Sequence, residues 1–188
     1  MKLVVGLGNP GRKYVGTRHN VGFAVLEELS RRHATASPRK GYEGEVVEAN
    51  LGGQRALLLA PHTYMNRSGQ SVRQAVDFYK LEPADVLVVC DDMSLPLGKL
   101  RMRTKGSDGG QKGLSDIIRH LGTDAFARLR IGIDRPPDNW EGADYVLAKF
   151  TKQEQTEMAI AVQKAADAVA VWAGEGAEAC MNRFNPKS

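Results

Sequence analysis

Four side chains in this sequence have the types that hydrolysis at neutral pH requires: Asn9, His19, Asn66 and Asp91. Imidazole takes up and releases a proton near neutrality more readily than other side chains, and a positioned general base contributes about 10²–10⁴-fold. A carboxylate on one ring nitrogen fixes the tautomer and stabilises the imidazolium, so the other nitrogen can activate water. Carboxamides hold a water or a carbonyl, and one well-placed oxyanion donor contributes about 10²–10³-fold. His19 with Asp91, a water and two asparagines therefore reads as ester or amide hydrolysis without a covalent intermediate. Taken singly, each residue also has an ordinary explanation. A histidine before a helix caps it or is solvated, a strand-end aspartate forms a turn, and loop asparagines are turn residues. Convergence in space is what would make them a site.

Convergence depends on the elements that carry them. Lys2 to Val5 is an apolar run ending at Gly6, a buried strand with Asn9 in the loop beyond it. Asn20 has the type of a helix N-cap, and Val25, Leu26 and Leu29 form one face of a helix to about His33. The segments 45–48 and 55–59 flank Asn50-Leu51-Gly52-Gly53 as a β-hairpin, and Asn66 lies between it and a helix over 68–80. The segment 85–90 is a buried strand, with Asp91 at its end. Lys99 to Arg103 alternates, one face apolar and the other wholly basic. A glycine-rich loop over 106–113 leads into a helix through Leu121, and 129–133 is another strand. Met158, Val162, Ala165, Val169 and Trp172 mark a long C-terminal helix whose stripe is core packing. The segment 145–150 carries no functional signal.

These elements add up to one α/β domain over 1–188 with a mixed, twisted sheet flanked by helices. Ligand sites in such sheets lie beyond the carboxyl ends of the strands, so three of the four positions converge if their strands are parallel. The length, 188 residues, suits a single domain. No apolar run approaches the roughly 18 residues of a membrane helix, and Leu3-Val4-Val5 is too short for a signal-peptide core. A cytoplasmic protein is expected.

Several chemistries drop out. Cys90 and Cys180 are read as reduced thiols, and His19, His33, His62 and His120 show no metal-ligand spacing, so a metal site has no support. Gly6-x-Gly8-x-x-Gly11 has the spelling of a dinucleotide-binding fingerprint. Its loop, however, does not open directly into a helix that would hold a pyrophosphate. Lys105 to Gly113 resembles a phosphate loop but has Gln111 where the second glycine belongs. No G-x-S-x-G elbow is present. Between Leu97 and Arg130 there are eight basic and three acidic residues, so the chain's net charge of +4 is local to that stretch. Such a stripe suits a polyanion, or is a solvated strand-and-helix face.

Four ordered blocks resemble bacterial peptidyl-tRNA hydrolase. They are Val5-Gly6-Leu7-Gly8-Asn9-Pro10-Gly11 with Tyr14 and Thr17-Arg18-His19-Asn20-Val21-Gly22-Phe23; Thr63-Tyr64-Met65-Asn66-Arg67-Ser68-Gly69; Asp91-Asp92 with Leu95-Pro96-Leu97-Gly98, Gly106-Ser107 and Gly109-Gly110; and Arg128-Leu129-Arg130-Ile131-Gly132-Ile133 with Arg135-Pro136. Their order and spacing hold over nearly the whole chain.

The resemblance implies a three-layer α/β domain, monomeric, that cleaves the ester joining a peptide to the 3′ ribose of tRNA and so recycles tRNA. It implies His19 as the base activating water, Asp91 as its orienting partner, and Asn9 and Asn66 as substrate-positioning and oxyanion-stabilising groups. Tyr14 and Met65 would line the cleft. Lys99, Arg101, Arg103, Lys105 and Arg130 would meet tRNA phosphates, giving sequence-independent, salt-dependent affinity. The C-terminal helix would pack beside the cleft as a mobile cover.

Two departures stand out. Met93-Ser94 replaces the family's Leu-Asp, and Gln111-Lys112 replaces a His-Asn pair whose asparagine helps hold substrate or water. Either Gln111 takes over that task, or Asn9 and Asn66 perform it alone; Lys112 could instead meet a phosphate.

Overall fold

In the computed structural model, which describes residues 1–187, the apolar run at the N-terminus is the strand β1 (Lys2–Gly6). After it come α1 (Val21–His33), β2 (Arg39–Gly41), β3 (Gly44–Leu51), β4 (Gln54–Pro61), α2 (Ser68–Tyr79) and β5 (Val86–Asp92). The second half adds β6 (Leu100–Arg103), α3 (Lys112–Leu121), β7 (Ala127–Gly132), α4 (Gly142–Val146), α5 (Lys152–Glu175) and α6 (Ala177–Phe184). The strand order is β2-β3-β4-β1-β5-β7-β6. β4, β1, β5 and β7 run parallel, and β2, β3 and β6 are joined antiparallel.

The sheet is the middle of three layers. Successive strand residues point to opposite faces, so Val4, Leu87, Val89 and Leu129 join a core with α1, α5 and α6. Leu3, Val5, Val86, Val88 and Cys90 join a second core with α2 and α3. Burial on both faces explains why β1 and β5 read as continuous apolar runs, without alternation. β6 is an edge strand. Asn185 covers it by accepting from Met102 N–H (2.6 Å) and donating to Met102 C=O (3.0 Å).

The glycines at the two ends of the first loop, Gly6 in β1 and Gly22 in α1, serve packing. A Cβ on Gly22 would lie 2.4 Å from Leu7 N and 2.6 Å from Val89 O, and one on Gly6 would lie 2.4 Å from Gly22 O. α1 therefore rests its backbone on the carboxyl ends of β1 and β5. The loop before it makes two 3-10 turns, Arg12–Tyr14 and Arg18–Asn20.

Some boundaries differ from the sequence reading. β5 continues through Asp92, so Asp91 lies within the strand; pairing with β7 as far as Gly132 holds it there. α3 begins at Lys112, which puts Gly113 inside the helix. β2, α4 and α6 are too short or too weakly periodic to stand out in the sequence. Asn20 occupies the N-cap position of α1 but makes no side-chain cap bond, for a reason that lies in the site.

Candidate active site

The chain leaves β1, builds β2 to β4 on one side of it, and returns through α2 to β5 on the other side. The strand order therefore reverses between β1 and β5, where an open α/β sheet leaves a crevice. A cavity of about 320 Å³ lies there, and Asn9, His19, Met65, Asn66, Asp91, Gln111, Lys112 and Arg130 all line it.

His19 Nδ1 lies 2.8 Å from Asp91 Oδ2. The Asp91 side chain is 3% exposed and that of His19 12%. Asp91 Oδ1 accepts from Gln111 Nε2 at 2.9 Å. Both carboxylate oxygens can only accept when ionised, so the His19 ring carries its proton on Nδ1. This leaves Nε2, which has no partner among the described residues, as an acceptor at the cavity.

Asn9 is held at three points. Its N–H donates to Asn20 Oδ1 and its C=O accepts from Asn20 Nδ2, both at 2.9 Å. Asn20 thus spends its amide on the Asn9 backbone, which is why α1 lacks that cap. Asn9 Oδ1 in turn accepts from Met65 N–H at 2.7 Å. With Oδ1 taken, Asn9 Nδ2 is the end of that amide left for a ligand. Met65 is buried and follows Tyr64, whose φ of 65° and ψ of 155° lie in a region that suits glycine. Such backbone strain costs about 1–3 kcal/mol and gathers at functional sites. Asn66, next in the same turn, is exposed at the cavity rim.

Tyr14 does not line the cavity. It stacks edge-on against Tyr64, with ring centroids 6.5 Å apart. Gln111 reaches the cavity wall, but both ends of its amide are taken: Oε1 accepts from Leu114 N–H at 2.8 Å, capping α3, while Nε2 meets Asp91. Lys112, the next residue, is exposed. Of the two replacements for the family's His-Asn pair, Gln111 is buried against Asp91 and Lys112 is exposed where it lines the cavity.

The basic stripe divides in the same way. Arg101 pairs with Arg130 across β6 and β7, and Arg103 with Arg128, so all four side chains share one face. Arg128 is wholly buried there and donates to the carbonyls of Gly106 (2.7 Å), Asp124 and Phe126 (3.1 Å), fixing the base of the glycine-rich loop. Burial lowers its pKa from the ordinary value. Arg130 is half-buried at the cavity, 3.6 Å from Asp92 and bonded to Ser107 O at 2.7 Å. Lys99, Arg103 and Lys105 are exposed.

One wall had no signal in the sequence. Gly142, Ala143, Val146 and Leu147, in and beside α4, line the cavity together with the glycine-rich loop. Arg18 ties this wall to the histidine turn. It donates to Tyr145 O and Ala148 O (3.3 Å each) and to Glu154 Oε1 (2.8 Å), with its guanidinium 4.1 Å over the Tyr145 ring. The partners of Arg18 are so distant in sequence that no local pattern announces them. α5 touches this region through Glu154, while its Met158-to-Trp172 stripe is core.

Beside Asp91, the Cys90 thiol is fully buried, and burial with the neighbouring carboxylate pushes its pKa up to about 12. It is no nucleophile. Among the described residues, no His, Cys, Asp and Glu side chains cluster as metal ligands would.

A model of the peptidyl-tRNA hydrolase family matches residues 3–188 of this sequence. The chain belongs to the peptidyl-tRNA hydrolase family. It is 56% identical over 188 residues to the peptidyl-tRNA hydrolase of Rhodopirellula baltica, covering 100% of this chain and 99% of that one. It is 47% identical over 185 residues to that of Listeria welshimeri, covering 98% and 100%. Among solved structures, the peptidyl-tRNA hydrolase of Acinetobacter baumannii superposes with a TM-score of 0.91 at 36% identity, covering 100% of this chain and 97% of that chain. The peptidyl-tRNA hydrolase fold of this chain is thus the three-layer α/β domain whose crevice holds the His19–Asp91 pair.

Proposed function

We propose that this chain hydrolyses the ester between the peptide and the 3′ ribose of peptidyl-tRNA, with His19 as general base and no metal or cofactor. The observation that carries the mechanism is the 2.8 Å contact between His19 Nδ1 and Asp91 Oδ2 at a cavity toward which Nε2 is free. A water on Nε2 gives up its proton as it attacks the ester carbonyl. Asp91 holds the imidazolium that results, and the proton passes on to the leaving ribose oxygen.

Asn9 presents Nδ2 to the carbonyl oxygen, whose negative charge grows in the transition state. Its three fixed contacts mean that little reorganisation accompanies the step. Asn66 at the rim positions the peptide, over the apolar surface of Met65, with Tyr14 packed against Tyr64. Arg130 and Lys112 at the cavity, with Lys99, Arg101, Arg103 and Lys105 beyond it, bind tRNA phosphates without regard to sequence. Gln111 belongs to the substrate-facing wall of the same site.

Action as a monomer in the cytoplasm, with no obligatory protein partner and no membrane, is part of this reading. No helix among the described residues is long and apolar enough to cross a membrane. The test is release of N-acetyl-aminoacyl product from charged tRNA by the wild type and His19→Ala side by side. Rapid turnover that collapses in the variant supports the reading. Tight tRNA binding with no turnover in either protein would instead make the chain an RNA-binding relative without catalysis.

A further inference from the structure

We infer that Gln111 is a positioning residue for the His19–Asp91 pair, holding the carboxylate oxygen that the histidine does not use. The inference deepens the hydrolytic reading of the site and rests on it.

The direction of the Gln111 amide is dictated from behind. Leu114 N–H, in the first turn of α3, is a donor only, and it lies 2.8 Å from Oε1. That end must therefore be the acceptor, which turns Nε2 toward Asp91 Oδ1 at 2.9 Å. Reversing the amide would set N–H against N–H at the helix and oxygen against carboxylate at the strand. The helix N-terminus thus chooses the donor that Asp91 receives. Gln111 is itself 8% exposed, so water does not readily take its place.

The consequence for Asp91 is rotational. A carboxylate bonded through one oxygen can turn about its Cβ–Cγ bond and carry the imidazole with it. Bonded through both, by Gln111 on Oδ1 and His19 on Oδ2, its plane is set, and with it the ring plane and the Nδ1–H tautomer. Packing reinforces the arrangement. A Cβ on Gly113 would come within 3.1 Å of Gln111 Oε1 and 2.5 Å of Met65 Sδ, so only glycine allows α3 this close. Gln111 touches no reacting atom; it acts through Asp91. Lys112, the exposed member of the pair and part of the cavity lining, is the one left to meet substrate.

The experiment compares Gln111→Asn and Gln111→His with the wild type in kcat, KM, melting temperature and the ¹⁵N signals of the His19 ring. Asparagine is a strong N-cap, so Gln111→Asn keeps the bond to Leu114 N–H while falling one methylene short of Asp91. The expected result is a kcat lower by about 10–100-fold, the rate equivalent of one hydrogen bond to a charged group. KM should stay within about twofold and the melting temperature near the wild type. The ring should shift from a single Nδ1–H tautomer to a mixture. Gln111→His restores an N–H to Asp91 and should recover most of the kcat.

Wild-type kcat in Gln111→Asn would overturn the inference, as would a raised KM at unchanged kcat, which marks a substrate contact. A fall in kcat that merely tracks lost melting temperature in both variants, without rescue by histidine, would also overturn it. The ring signals need no substrate: an unchanged tautomer in Gln111→Asn sinks this inference, whereas a wild type without turnover sinks the hydrolytic reading.

Discussion

Replacing Asp91 by asparagine exchanges one acceptor oxygen for a donor at the centre of the site. In the native arrangement, two donors converge on the carboxylate, His19 Nδ1–H at 2.8 Å and Gln111 Nε2–H at 2.9 Å. The introduced amide can satisfy only one of them. If its oxygen faces His19, its NH2 opposes the NH2 of Gln111, whose orientation Leu114 N–H enforces. If its oxygen faces Gln111, its NH2 faces the ring, Nδ1 must become an acceptor, and Nε2 then carries the proton and cannot take another from water. Losing a charge-assisted hydrogen bond amounts to about 1.5–3 kcal/mol, or roughly 10–150-fold. Reversal of the tautomer adds to this, and the same exchange in a serine-protease triad lowers kcat by about 10⁴.

Asp91→Asn is therefore expected to lower kcat by about 10²–10⁴-fold, with KM within about threefold, measured as steady-state release of N-acetyl-aminoacyl product over a range of charged tRNA. The geometry also specifies a rescue. Gln111→Glu in the Asp91→Asn background supplies a carboxylate that accepts from both Leu114 N–H and the introduced amide, turning the amide oxygen back toward His19. The double variant should regain about tenfold over Asp91→Asn, although Gln111→Glu alone sets two carboxylates against each other and loses activity. A double variant no more active than Asp91→Asn would refute the hydrogen-bond reasoning.

Arg103→Ala removes an exposed cation of the shared basic face. KM should rise with kcat unchanged, and the slope of log affinity against log salt should flatten by about 0.7–0.9, one phosphate contact; an unaltered KM and slope would remove this residue from the tRNA surface. The thiols offer a pH test. Burial raises Cys90 to about 12 and Cys180 to about 11 from an ordinary 9.0. The unfolded chain therefore loses these protons from about pH 9, and the folded chain holds them to higher pH, so stability is fully present below pH 9 and declines as pH rises toward 11–12. Urea midpoints from pH 8 to 10.5 should fall less steeply in Cys180→Ala than in the wild type; equal slopes would contradict the assignment. Neither thiol should alkylate at pH 8 without denaturant.

Much of the architecture was legible because local patterns encode it. The stripes of α1, α2 and α5 arise from the 3.6 period of helix geometry, the continuous apolar runs of β1 and β5 from burial on both faces, and the hairpin from the positive φ that Gly52 and Gly53 supply. α4 escaped because five residues hold too little periodicity, and with it went a wall of the cavity. Asn20 has the residue type of a cap, but whether an amide bonds its own helix or a neighbouring loop depends on what packs beside it. Tyr14 stands in the first block, but a block specifies no contacts, and it is the fold that sets its ring against Tyr64.

By itself, the sequence determined which side chains were available for chemistry, the strands whose ends carry them, and, through four spaced blocks, the family. Tertiary structure decided how those side chains are employed. It turned Gln111 inward to Asp91 and left Lys112 exposed at the cavity, buried Arg128 under the loop while leaving Arg103 exposed on the same face, and joined Arg18 to a wall far along the chain. The physical reason is that a hydrogen bond needs a partner at about 2.9 Å and proper angle. Those partners come from elements distant in sequence, brought together only when both faces of the sheet are buried.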